Sequence, residues 1–222
     1  MKPLLLQTAT GYDYNQLLNL TEAHHRALCE SQGIEYQRIG EIRPSWLPKA
    51  WRWNTVHFTT FASFIQDQPD GRIVAGMEAD MVWVKPAAMR AACETAGLFD
   101  PINGVRHDIA YVGDTRWASA GFITVRVSQK LKTCLQDILE NGPLEAGQDS
   151  SAVLAKFTHE RLSVIHLDAR WNFYAMYGSA PVKQRVPESE AIILHFPGQP
   201  LDIRRERIKL ALRSIQSEKV KV

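Results

Sequence analysis

Residues 72–84 read RIVAGMEADMVWV. An apolar run of this length, rich in Val, Ile and Met, is the pattern of a strand buried on both faces of a sheet. It nevertheless carries two acids, Glu78 and Asp80, one residue apart. A carboxylate among apolar side chains is unstable unless it is paired, hydrogen-bonded or bound to a cation. Side chains alternate along an extended strand, so Glu78 and Asp80 are expected to project to the same side. Two like charges held together raise each other's pKa. A divalent cation between them removes the conflict, and hard cations such as Mg²⁺ and Mn²⁺ take carboxylate oxygens. The E-x-D pattern is short, and a loop with two solvated carboxylates is the competing reading of the segment taken alone.

The rest of the chain alternates strand-like and helix-like segments. PLLLQTAT reads as a first strand leading into a loop, GYDYN. Residues 15–32 follow with a helical period and Gly33 as their stop. IEYQRI (34–39) is a second strand, residues 50–66 carry a bulky helix face, and residues 86–96 form a short helix opened by proline. Further on, GFITVRV, LSVIHLD and AIILHF read as strands. SQKLKTCLQDIL, QDSSAVLAKFTHE and residues 202–216 read as helices. This order predicts one α/β domain over residues 1–222, with a mostly parallel central sheet flanked by helices. Parallel sheets bind ligands at the carboxyl ends of their strands. TAT (8–10), EAD (78–80) and HFPG (195–198) each end a strand-like run, which places all three on one candidate edge.

Composition narrows the function classes. The net charge is +2 and the arginines are dispersed, which argues neither for nucleic acid nor for a membrane surface as partner. Cys29, Cys93 and Cys134 are odd in number and far apart, giving no disulfide framework and no metal spacing. MKPLLLQTATGYD has too short an apolar core for a signal peptide, and no stretch approaches the roughly 20 apolar residues of a membrane span. A soluble, cytoplasmic protein is therefore expected.

The acidic pair has company. IVAGMEADMVWVKP resembles the D-x-D segment of GT-A glycosyltransferases. WRWNTVHFTTF and HHRALCESQGIEY are similar to two earlier segments of the galactosyl-, xylosyl- and mannosyltransferase family of the fungal Golgi type. WASAGFITVRVSQ resembles that family's N-A-G element. GQDSSAVLAKF followed by VIHLDARWNFY resembles the D-Q-x-x-L helix and L-x-x-x-x-N strand, a pairing also seen in retaining galactosyltransferases of bacterial lipooligosaccharide. HFPGQ resembles the terminal H-F-x-G. Six weak motifs in the family's order, from about residue 4 to about residue 205, make the resemblance moderately strong.

That resemblance implies a metal-dependent transferase moving a sugar from a nucleotide-sugar, with UDP favoured, to a glycan or other hydroxyl acceptor. Glu78, Asp80 and His195 would hold Mn²⁺ or Mg²⁺, with Ala79 between the acids and Gly198 in the following turn. Thr8, Ala9, Thr10 and Tyr12 would receive base and ribose, Tyr12 by stacking. Arg52 and Asn54 would face the phosphates or the donor sugar, and Ser119 stands in the N-A-G element. Gln148 and Asp149 would contact the sugar or the charge that develops on it. Asp114, Arg116 and Trp117 would line the acceptor side. Without an evident general base, the resemblance favours retention of anomeric configuration.

Each assignment has a plainer alternative: a polar first loop, packing tryptophans, a half-buried strand-end histidine, or a helix N-cap at Asp149. His24, His25, His57, His107, His159 and His166 show no ligand spacing and read as structural or solvated. The sequence also departs from the family. Glu78 replaces its first aspartate, Gly147 an acid, and Ser119 an asparagine. The lysine commonly found soon after H-x-x-G in the family is missing here, so Arg204 or Arg205 would have to meet the diphosphate.

Two other readings compete. A sugar nucleotidyltransferase needs a glycine-rich loop with a basic residue after the first strand, and TATGYDYN has one glycine and no lysine or arginine. A non-catalytic glycan- or nucleotide-binding protein of the same fold would keep the scaffold and lose the chemistry.

Overall fold

The computed structural model describes residues 1–41, 56–85, 99–100, 105–113, 118–141, 150–175 and 187–219. The helix expected over residues 86–96 lies outside them.

β1 (Leu4–Thr8) is buried along its whole length, which an isolated LLLQT segment achieves only at the centre of a sheet covered on both sides. The alternation of its side chains feeds two cores. Leu4 and Leu6 pack with Phe58, Phe61 and Ile65 of α2 (Val56–Gln66). Leu5 packs on the other face with Leu28 and Cys29 of α1 (Gly11–Ser31). The two helices therefore cover opposite faces. Gly76 brings α2 close, since a Cβ there would lie 2.5 Å from the Phe61 ring.

β2 (Glu35–Ile39) and β3 (Ile73–Glu78) flank β1 and run parallel to it. The chain thus leaves β1 in one direction for β2 and returns on the other side for β3. The gap this opens beyond the carboxyl end of β1 is where α/β sheets place ligands. The sheet continues through β8 (Ala118–Arg126), β7 (Ile109–Gly113) and β9 (Val164–Leu167), in the order β2-β1-β3-β8-β7-β9. β8 is antiparallel to both neighbours and the other adjacent strands are parallel, so only β8 runs against the rest. β5 (Phe99–Asp100) and β6 (Val105–Arg106) form a small antiparallel pair. α3 (Gln129–Asn141) and α4 (Ser150–Arg161) add Leu135, Ile138 and Leu154 to the core on the α2 face.

Two expectations change here. GYDYN is no loop: Gly11, with a positive φ of 72°, opens α1 directly. RIVAGMEADMVWV is not one strand either. β3 ends at Glu78, Ala79 and Asp80 form a turn, and β4 (Met81–Trp83) joins a second, three-stranded sheet. Both halves are apolar because both are buried, so the hydropathy of the run hides the break. β10 (Phe173–Tyr174) lies parallel to β11 (Ile193–His195), which pairs antiparallel with β4. The final helix, α5 (Leu201–Lys219), sends Ile208 and Ile215 into an apolar cluster with Leu17 and Leu18 of α1.

Candidate metal centre

The turn after β3 and the end of β11 meet. His195 pairs with Met81 in the β11–β4 ladder, and the amide of Phe196 donates to the carbonyl of Asp80 at 3.1 Å. This backbone stitching sets the imidazole of His195 beside the carboxylates of Glu78 and Asp80. Nε2 of His195 lies 3.0 Å from Oε2 of Glu78 and 3.4 Å from Oδ1 of Asp80. One ligand atom from each of the three falls within 4.8 Å of the others. The sequence expectation that Glu78 and Asp80 converge holds, but a tight turn brings them together rather than strand alternation.

Burial decides what this cluster can do. Asp80 and His195 are 1% and 3% exposed, whereas Glu78 reaches solvent. Burial pushes the His195 imidazole down, but the charges of Asp80 and Glu78 outweigh it and raise the pKa to about 9. For Asp80, burial raises the pKa, and His195 and Arg204 outweigh it to hold the carboxyl below its ordinary value. Despite these short distances, Nε2 of His195 and Oδ1 of Asp80 have no aligned hydrogen-bond partner among the described residues. Two buried polar atoms left orphaned, facing the same point as a second carboxylate, fit a divalent cation. An imidazole with two carboxylates suits Mn²⁺ or Mg²⁺.

The surroundings hold each ligand in place. Nη1 of Arg204, on α5, lies 3.2 Å from Oδ2 of Asp80, leaving Oδ1 for other use. Its guanidinium also sits 5.0 Å from the centre of the Tyr14 ring. Arg204, expected to meet a diphosphate, is thus engaged by Asp80 and Tyr14. His195 Nδ1 is 2.8 Å from Oδ1 of Asn172, whose amide nitrogen donates to the Ser119 hydroxyl. Gly121, on β8, gives the imidazole room, since a Cβ there would lie 2.9 Å from Cε1 of His195.

A small cleft of about 30 Å³ opens beside Glu78, lined by Thr8, Thr10, Tyr14, His57 and Ala79. Thr8 faces Glu78 across the β1–β3 ladder, so the carboxyl ends of both strands form its floor. Thr8, Ala9, Thr10 and Ala79 all lie buried at this edge. Tyr12 does not line the cleft. It stands 77% exposed on the first turn of α1, and Tyr14 lines the cleft instead. Ser119 is buried within the Asn172 hydrogen-bond chain, and Gly198 takes a left-handed φ of 69° in the turn before α5. Arg52, Asn54, Asp114, Arg116, Trp117, Gln148 and Asp149 lie outside the described residues.

His57 lines the same cleft. It is buried in the cleft wall, with Nδ1 paired to the hydroxyl of Thr8, which fits the structural role expected of it and adds that it lines the cleft. Burial keeps its imidazole below the ordinary range even with Glu78 nearby. Its place in a bulky helix face, VHFTTF, was the available signal, since α2 begins next to the β1 edge. A groove of about 640 Å³, lined by Val84, Phe196 and Leu210 among others, includes no residue of the triad.

No protein-family model and no curated protein matches the chain in sequence. Solved structures do match its fold. A glycosyltransferase involved in the glycosylation of the major capsid of PBCV-1 is similar over 94% of this chain and 99% of its own, with a TM-score of 0.62 at 15% identity. The galactosyltransferase LgtC, in complex with donor and acceptor sugar analogues, is similar over 93% of this chain and 95% of its own. There the TM-score is 0.57 at 12% identity. Mouse xyloside xylosyltransferase 1 is similar over 89% and 98% of the two chains, with a TM-score of 0.55 at 9% identity. At such identities the likeness establishes the architecture: the chain has the GT-A glycosyltransferase fold.

Proposed function

We propose that this chain is a metal-dependent glycosyltransferase that moves a sugar from a UDP-sugar to a hydroxyl of a glycan acceptor, with retention of anomeric configuration. The observation that carries this reading is the convergence of Glu78, Asp80 and His195, with orphaned ligand atoms, at the carboxyl edge of a GT-A sheet. Matching folds include a galactosyltransferase solved with donor and acceptor sugar analogues, which supports the substrate class.

In such a transfer the difficulty is the charge that develops on the departing nucleoside diphosphate. A divalent cation held by Glu78, Asp80 and His195 would supply positive charge against it. The chain's own residues prepare that site. Arg204 pins one oxygen of Asp80, so the carboxylate is oriented before any ligand arrives. Tyr14 packs under the same guanidinium and lines the cleft that opens at β1. Thr8, Ala9 and Thr10 offer small side chains there, which lets a base and ribose approach the backbone. Gln148 and Asp149, preceding α4, are assigned to the sugar, and Arg52 and Asn54, preceding α2, to the phosphates or sugar. Asp114, Arg116 and Trp117, between β7 and β8, are assigned to the acceptor. Retention is favoured by the resemblance to retaining galactosyltransferases of bacterial lipooligosaccharide and by the lack of an evident general base in the sequence.

The test is a panel of UDP- and GDP-sugars incubated with the protein and Mn²⁺, scored for release of nucleoside diphosphate. Hydrolysis of one UDP-sugar, abolished by chelator, is the expected result. Binding of UDP without turnover of any donor, with or without a glycan acceptor, would make this a binding protein on a transferase scaffold.

A further inference from the structure

We propose that Asn172 is a positioning residue: its side-chain carbonyl holds one proton of His195 on Nδ1, so that Nε2 is the nitrogen that gives up its proton and takes the cation. The inference rests on the metal-dependent reading above and adds a residue to it. Asn172 ends a short 3₁₀ turn, Ala169–Asn172, just before β10, and is 1% exposed. β10 runs parallel to β11, so the turn delivers this side chain to the flank of the histidine.

An amide has one accepting end and one donating end. The nitrogen of Asn172 donates to Oγ of Ser119, which leaves Oδ1 facing Nδ1 of His195 at 2.8 Å. Oγ of Ser119 also accepts from the amide of Gly121 at 3.4 Å and lies 3.2 Å from the hydroxyl of Tyr174, to which it can donate. In that arrangement Ser119 Oγ accepts from two N–H groups and Asn172 uses both ends of its amide. A carbonyl oxygen at Nδ1 demands an N–H there, and a neutral imidazole protonated on Nδ1 carries its lone pair on Nε2. Nε2 is the nitrogen that faces Glu78 and Asp80. An amide turned the other way would place its own N–H against Nδ1 and force the ring proton onto Nε2, toward the two carboxylates and the space between them. Packing restricts other geometries, since a Cβ at Gly121 would sit 3.2 Å from Nδ1 of His195 and 3.3 Å from Nδ2 of Asn172.

Mn²⁺ binding, read by loss of the free-ion electron paramagnetic resonance signal, separates the possibilities. Wild type should bind Mn²⁺ and Asp80→Ala should not; if the two bind alike, the metal reading itself fails and this inference with it. Given that difference, Asn172→Leu removes the acceptor at similar volume and should weaken Mn²⁺ binding about 10- to 100-fold. Asn172→Asp keeps an acceptor at Nδ1 and should restore affinity to within a few-fold of wild type. If Asn172→Leu binds as wild type does, or Asn172→Asp loses as much as Asn172→Leu, Asn172 does not act through His195. Should Asn172→Leu not fold, ¹⁵N-histidine spectra of the wild type with Mg²⁺ decide instead. A proton on Nδ1 of His195 is expected, and a proton on Nε2 overturns the proposal.

Discussion

His195 answers to two opposed influences. Burial disfavours its charged form, but Asp80 and Glu78 outweigh burial and lift its pKa from an ordinary 6.5 to about 9. A cation must displace that proton to reach Nε2. Mn²⁺ affinity should therefore rise by up to about tenfold per pH unit between 6.5 and 9 and level off above, as read by titration at several pH values. Affinity that is flat over this window would contradict the assignment of His195 as a ligand. In metal-free protein the sign of the stability effect follows from the raised pKa. The stabilisation is complete below 6.5 and lost as pH climbs through about 9. The sugar end of the site carries a separate prediction. Asp149→Ala should lower turnover far more than UDP affinity, because its proposed contact strengthens as charge develops at the anomeric carbon. Equal loss of UDP binding and of helix content, by titration and circular dichroism, would leave Asp149 as a helix cap only. Asp80 and His195 were legible in the sequence because their motifs survive. Tyr14 and His57 were not, since each meets a partner distant in the chain, Arg204 and Thr8 respectively, and for Asn172 the L-x-x-x-x-N motif marked the residue but not its contact with His195.

The elements around the acidic turn are tied by a buried polar network. Gln7 on β1 donates to the carbonyl of Glu78 at 3.4 Å, and its Oε1 receives Tyr36 on β2 and Nδ1 of His25 on α1. Nε2 of His25 in turn accepts the amide of Trp83 on β4 at 3.1 Å. One imidazole thus joins α1 to β1 and to β4, the strand that leaves the turn. Its Nε2 can accept only while the ring is neutral, and burial keeps its pKa well below 6.5. The sign follows: stability from His25 is full above about 6.5 and is lost as pH falls below that value, because the unfolded chain takes up the proton first. Melting temperature should fall from pH 6.5 to 5, and His25→Gln should flatten part of that slope. Equal slopes in both proteins would show that this histidine does not bridge the elements. Most strands and helices were legible from periodicity. The break between β3 and β4 was not, because pairing with β11 decides it and both sides of the break are buried alike.

At the scale of the molecule, the central claim is that a GT-A sheet gathers one cation site from two distant parts of the chain, a β3–β4 turn and the end of β11. The α/β class and the carboxyl-edge location of the site followed from the alternation of segments. The reversed β8 and the second small sheet did not, since both depend on pairings that no local pattern encodes. No helix among the described residues is long and apolar enough to cross a membrane. Folding of the variants is read first by circular dichroism, because removing Asp80 leaves Arg204 and His195 without their buried carboxylate partner. Calorimetric titration of UDP into the protein with Mn²⁺, and again with excess chelator, tests it most directly. Binding should require Mn²⁺, vanish in chelator and in Asp80→Ala, and weaken about 10- to 100-fold in His195→Ala. UDP that binds equally well in chelator, or to Asp80→Ala as to wild type, would contradict the account.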